Sequence, residues 1–268
     1  MRLPNLAIIS FACAVGALAQ DKITVPLSSP SQPVTIKANL LSGSITVTAG
    51  TGSEVVVTTT ENDRSSRRSG RDAVPAGMTR IGSRPGMNIE EDHNVITISS
   101  GSFGADADLV IQTPVNTSLQ IKTINGKAIE VTGINGDHEI ESTNGAIKLT
   151  NVSGTVVAHT LNGGVTASLD RITGNKPMSF TSLNGKVDVT LPADTKARLR
   201  LKSDNGSIYS DFDVRMEPDA SKPVVEDSRG QGGKYKISID RAVTGTINGG
   251  GPEYTFQTMN GNILIHKK

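Results

Sequence analysis

The dipeptide Asn-Gly recurs at Asn125-Gly126, Asn144-Gly145, Asn162-Gly163, Asn184-Gly185, Asn205-Gly206 and Asn260-Gly261. Further copies stand at Asn135-Gly136 and Asn248-Gly249. Asn and Gly tolerate a positive φ, so each copy predicts a corner in the chain. Aliphatic and polar residues alternate after most of these glycines. Ile147 and Leu149 follow Gly145, Val165, Ala167 and Leu169 follow Gly163, and Val187, Val189 and Leu191 follow Gly185. Alternation with period two marks a strand with one buried face. The copies from Asn144 to Asn205 are 18, 22 and 21 positions apart. A repeat of about twenty residues predicts a solenoid, in which each coil buries its apolar side on its neighbours.

Asn-Gly between alternating runs is also a strong hairpin signal, and repeated hairpins would give an antiparallel β-sandwich. The glycines of Val152-Ser153-Gly154 and Ile172-Thr173-Gly174 fall between the Asn-Gly copies, as the opposite side of one coil would. That arrangement favours a parallel β-solenoid of short strands, with the sandwich as the alternative. No segment carries a sustained 3.6-residue apolar period with caps, so almost no helix is expected.

Aromatic residues make up 3% of the chain and Trp is absent, which suits a narrow interior of Val, Ile, Leu and Ala. The 27 basic and 26 acidic residues nearly cancel, so no net field draws nucleic acid or an anionic membrane. Residues 1–19 read as a secretory signal: Arg2 precedes the apolar run Leu6 to Leu18, and Ala17-Leu18-Ala19 forms an A-x-A site before Gln20. An exported protein follows, destined for periplasm, cell surface or medium. Cys13 is the one cysteine and lies within that signal, so the mature chain would have no disulfide and no thiolate chemistry. No other run is long enough to span a bilayer as a helix. Residues 20–268 are then one repeat domain with polar insertions at about 61–92 and 215–234. The first carries Arg64, Arg67, Arg68, Arg71, Arg80 and Arg84, and is expected to be a solvated insertion that is dispensable for folding.

No catalytic, cofactor or metal site emerges. His93, His138, His159 and His266 are far apart and lack a ligand-spaced partner, so each is expected to be a surface or tolerated histidine. Glu139 and Glu141 flank Ile140, which is expected to face inward. The third position after successive corner glycines holds Lys148, Val157, Thr166, Asp188, Tyr209 and Leu264. That mixed row builds no carboxylate pair of the kind that glycoside hydrolysis needs. No phosphate-binding loop, nucleophile elbow or calcium-binding nonapeptide occurs.

The segments SLNGKVDVTLPADTKARLRLKSDNGSI and GGGPEYTFQTMNGNILIHKK resemble the DUF4097 family of adhesin-type bacterial envelope proteins. The resemblance covers roughly residues 39–268 and is strongest from Thr123 to Ile208 and again from Gly249. It implies a right-handed parallel β-helix-like fold and an adhesin-like role, and it carries over no catalytic residues. The expected function is non-catalytic: adhesion or envelope scaffolding, with a cell-surface polysaccharide or envelope protein as partner. A polysaccharide lyase or hydrolase on a β-helix, and a purely structural envelope stress protein, are the alternatives.

Overall fold

The computed structural model describes residues 21–61, 87–100, 107–217, 224–227, 235–238 and 242–268. The proposed leader and the six arginines of the first insertion lie outside the described residues. Within the described residues the chain is all strand and turn, with no helix.

Each coil follows one plan. A strand carries inward residues at every second position, an Asn-Gly or equivalent pair follows, and a second strand continues the alternation. In Thr117–Thr132, Leu119, Ile121, Ile129 and Val131 are wholly buried on either side of Asn125-Gly126. Val34–Ala49 and Ala146–Asn162 likewise run long and unbroken, so the strands are not uniformly short. Among the described residues, eight coils stack. Their order is 95–100 with 107–113, then 34–49, 117–132, 135–150, 153–171, 178–191, 253–267 and 197–210. All pairings between these coils are parallel, so the β-solenoid-like reading holds and the antiparallel sandwich does not. Antiparallel pairing is confined to other places. Met87–Asp92 lies on Val95–Ser100, Asp21–Val25 pairs with Val55–Glu61, and Val55–Glu61 pairs with Ala107–Thr113. At the far end, Ala197–Asn205 pairs with Val243–Ile247, which in turn carries Arg215–Met216. Strands laid across a stack in this way cover edges that would otherwise pair with another chain.

Two features depart from a simple winding. Coil 34–49 sits between two coils that come later in the chain, that of 95–100 with 107–113 and that of 117–132. Coil 253–267 sits between two earlier ones, 178–191 and 197–210. Neither insertion can be read from repeat spacing, because every coil carries a similar signature. Met87–Asp92 also forms a strand inside the stretch expected to be a polar insertion, and Val224–Asp227 pairs with Tyr235–Ser238 around the second.

The inward side chains form one continuous core of Ile, Val, Leu and Ala, with Phe180 and Phe256 stacked at 5.2 Å between adjacent coils. His138 breaks that pattern. It lies at 2% exposure between Leu119 and Val156, and is therefore a core residue rather than a surface one. Its Nε2 lies 3.3 Å from the Ser153 carbonyl, while its Nδ1 is buried without a partner. Burial pushes the imidazole below its ordinary pKa, against the opposing effect of backbone contacts to Ser153 and Ile134. The unfolded chain therefore takes up this proton first. The stability at stake is complete above the unfolded value, near pH ~6.5, and is lost as pH falls through the folded value. Melting temperatures across this window should fall with acid in the parent and fall less in His138→Leu. Equal pH slopes in the two proteins would show that His138 is not the group responsible.

Candidate binding ridge

The Asn-Gly copies come together in space. Asn144 donates from Nδ2 to Asn125 Oδ1 at 3.1 Å, and Asn162 to Asn144 at 2.8 Å. Asn184 donates to Asn162 at 2.8 Å, Asn260 to Asn184 at 2.7 Å, and Asn205 to Asn260 at 2.9 Å. These six side chains form one continuous amide ladder down the stack. Asn135 stands apart from it and donates to Asn116 at 2.8 Å.

The glycines serve the ladder through closeness more than through turning. Gly145 and Gly163 have φ of 151° and 157°, near the extended limit, and Gly126, Gly185, Gly206 and Gly261 are outside the left-handed range. A Cβ on Gly163 would stand 2.4 Å from the Gly145 carbonyl oxygen, one on Gly185 2.3 Å from that of Gly163, and one on Gly261 2.3 Å from that of Gly185. Backbone meets backbone there, and no side chain fits between. Gly43, the register partner of Gly126, is left-handed at φ 117°, and further left-handed positions lie at the return side of the coil, as at Gly133 with φ 72° and Asn151 with φ 51°.

A second set of ladder residues escaped the sequence reading. Two positions before each ladder asparagine stands a hydroxyl: Thr123, Ser142, Thr160, Ser182, Ser203 and Thr258. Thr160 donates to the Gly145 carbonyl at 2.9 Å, Ser182 to Gly163 at 2.7 Å, Thr258 to Gly185 at 2.8 Å and Ser203 to Gly261 at 2.9 Å. These four hydroxyls each tie their coil to the glycine of a neighbouring one, while Thr123 donates to Ser142 at 3.1 Å. The motif [ST]-x-N-G was present in the sequence as a signal.

The residue between hydroxyl and asparagine points outward. Ile124, Leu161, Leu183 and Met259 occupy that place and are 49%, 37%, 39% and 45% exposed. Thr143 and Asp204 complete the row. Coils repeat at about 4.8 Å, so Leu161, Leu183 and Met259 form an aliphatic ridge on three successive coils beside the amide ladder, with Thr143 between Leu161 and Ile124. Runs of exposed apolar side chains of this kind mark interaction surfaces.

The ionisable groups do not converge on the ridge. Lys122 pairs with Glu141 at 3.0 Å on the outer face, and its hydrogen bond and attraction to that carboxylate raise its pKa. Asp137 is held below the usual carboxylate range by Lys176 and by the Thr155 hydroxyl. His159 is exposed, and His266 lies 3.0 Å from Asp211. The row through Glu130, Lys148, Thr166, Asp188, Leu264 and Tyr209 is mixed, as expected. Val157, however, belongs to the other side of the coil, between Glu139 and Ser179. Among the described residues, no three His, Cys, Asp or Glu side chains gather as metal ligands. A groove of about 480 Å³ on the return side is lined by Asp170, Arg171, Asn175, Asp194, Lys196 and Tyr254, among others. Asp170 in it is paired with Lys268. Burial pushes the Tyr254 hydroxyl above its ordinary pKa, so it stays protonated at neutral pH.

The sequence matches the family described as Toastrack DUF4097 over residues 17–265. The chain belongs to the Toastrack DUF4097 family. Among solved structures, this Toastrack chain is similar to one from Clostridium sporogenes ATCC 15579 called a "putative cell adhesion protein". The identity is 9% and the TM-score 0.50, over 93% of this chain and 99% of that one. It is also similar to a "putative adhesin" from Bacteroides fragilis NCTC 9343, at 10% identity and a TM-score of 0.40, over 93% of this chain and 97% of the other. At such identity the first likeness shows the fold alone. A comparison with curated proteins finds no match. No helix among the described residues of the Toastrack chain is long and apolar enough to cross a membrane.

Proposed function

We propose that this Toastrack protein is exported and acts without catalysis, as an adhesin-like or envelope scaffold protein that binds a polymer or protein. Its coil is right-handed in this reading, with the six Asn-Gly pairs as corners. The aliphatic ridge carries the proposal. Ile124, Leu161, Leu183 and Met259 stand exposed at coil spacing beside a row of amides. Each ladder amide has a second N–H and a second oxygen lone pair beyond those used in the ladder. A long partner would therefore meet alternating apolar and hydrogen-bonding contacts, each weak and many at once.

The lyase or hydrolase alternative rests on the groove, where Asp170, Asp194, Arg171 and Lys196 line one space. A protonated Tyr254 is a poor base for lyase chemistry, and Asp170 is engaged by Lys268. The test passes the mature protein over cell-wall, exopolysaccharide and envelope-protein fractions and through a hydrolase and lyase panel. Retention without turnover is the expected result. Leu161→Asp with Leu183→Asp should weaken retention by roughly tenfold or more, as loss of central apolar contacts does. Turnover that Asp170→Asn or Asp194→Asn abolishes would replace this reading with the enzymatic one.

A further inference from the structure

Asn-Gly is chemically labile because the glycine nitrogen can attack the asparagine side chain. The ladder restrains that reaction unevenly. The Gly145 N–H donates to the Asn162 carbonyl at 2.9 Å, Gly163 to Asn184 at 3.1 Å, Gly185 to Asn260 at 3.0 Å and Gly261 to Asn205 at 3.2 Å. Each attacking nitrogen is thus tied up by the backbone of the next coil. Gly206 is on the outermost coil of this row, and its N–H meets no backbone acceptor among the described residues. Asn205 donates to Asn260, but its own Oδ1 receives no hydrogen bond from a described residue. The Gly249 N–H also lacks a backbone acceptor among the described residues, but Asn248 Nδ2 is pinned to the Ala193 and Thr195 carbonyls at 3.0 and 2.7 Å. Gly126 and Gly136 lie inside paired strands.

We propose that Asn205-Gly206 is a spontaneous deamidation site, and that modification of the ladder proceeds inward from it, coil by coil. In the step, hydroxide removes the Gly206 amide proton and the nitrogen attacks Asn205 Cγ. The new C–N bond closes a succinimide, the Cγ–Nδ2 bond breaks, and ammonia leaves. Water then opens the ring at either carbonyl, giving aspartate or isoaspartate, with no redox change. Either product loses the Nδ2 donor to Asn260 and gains a negative charge. Isoaspartate also adds a methylene to the main chain, which displaces the Asn205 carbonyl. That carbonyl is the acceptor holding the Gly261 N–H, so Asn260-Gly261 is released next.

The test incubates the folded full chain in mildly alkaline buffer and maps each site by peptide mass spectrometry over time. Breaking a hydrogen bond to free the nitrogen costs about 1 kcal/mol, so Asn205 should convert roughly fivefold faster than Asn144, Asn162 or Asn184. Asn260 should convert mainly in molecules already modified at Asn205. In urea the lead of Asn205 should vanish. Asn205→Ser keeps the backbone carbonyl while removing the amide, and in that variant Asn260 should be as slow as Asn184. Interior sites converting as fast as Asn205, or a lead that persists in urea, would overturn the proposal. So would Asn260 converting at one rate whatever the state of residue 205.

Discussion

Replacing Gly185 by alanine should lower the melting midpoint almost as much as replacing it by valine. The first carbon added would already stand 2.3 Å from the Gly163 carbonyl oxygen and 2.8 Å from the Gly164 nitrogen. Both are backbone atoms locked in the stack, so the coils must part rather than a side chain rotate. Overpacking into rigid surroundings costs about 3 kcal/mol or more. For a domain of this size that corresponds to a drop of roughly 6–12 °C. Two controls separate crowding from conformation. Gly174 is left-handed at φ 84° with nothing within 4 Å of its Cβ position, so Gly174→Ala should cost only about 1–2 kcal/mol. Lys186 is exposed and pairs with Asp188, so Lys186→Ala should stay within about 0.5 kcal/mol. If alanine at 185 were tolerated while valine was not, the glycine would be needed for side-chain volume alone and the close approach would be refuted.

Ending the chain after Gly251 should abolish the cooperative fold of the second half of the stack. The deleted residues supply a coil that has a neighbour on both sides, 178–191 and 197–210. Tyr254, Phe256, Ile263 and Ile265 are buried by 99% or more, and burying each contributes about 1.5–3 kcal/mol. Together that is about 6–12 kcal/mol, comparable with the whole stability of a typical domain. Phe256 also leaves Phe180 without its stacking partner. Thermal unfolding and limited proteolysis read the result, with cleavage expected to spread through residues 178–217. A truncated chain with one full-height transition would show that coil 197–210 can drop onto 178–191 and take the vacated place.

Much of this architecture is legible in the residues. The alternation of Val187, Val189 and Leu191 names the inward side chains, and all three are wholly buried. Asn-Gly spacing brings the ladder members into view, since a parallel stack in register must superpose equivalent positions. His138 was legible too: it is two residues before inward Ile140 and so shares its face. The order of coils was not legible. Thr258-Met259-Asn260-Gly261 has the same form as Ser203-Asp204-Asn205-Gly206, and local pattern carries no information on which neighbour a coil will choose. The placement of Val157 failed for a related reason. Counting from Gly154 treats the return side as if it were the Asn-Gly side, and the two sides lead into different strands. The ridge was not read from the sequence, because only the stack sets Ile124, Leu161, Leu183 and Met259 in one row.

The two displaced coils give synthesis a direction. Coil 34–49 is made before both of its neighbours, so it can wait as a template that later strands join from either side. Coil 253–267 is made after both of its neighbours, so those two cannot close on one another without blocking its seat. A solenoid wound in sequence order could solidify as it emerges, one coil at a time. This one must hold coil 197–210 off the growing stack until the intervening coil arrives. The long sequence separation of those contacts makes that closing step the slow one. A chain that stays open on this side until late leaves the facing edges of coils 178–191 and 197–210 unpaired until coil 253–267 is seated between them.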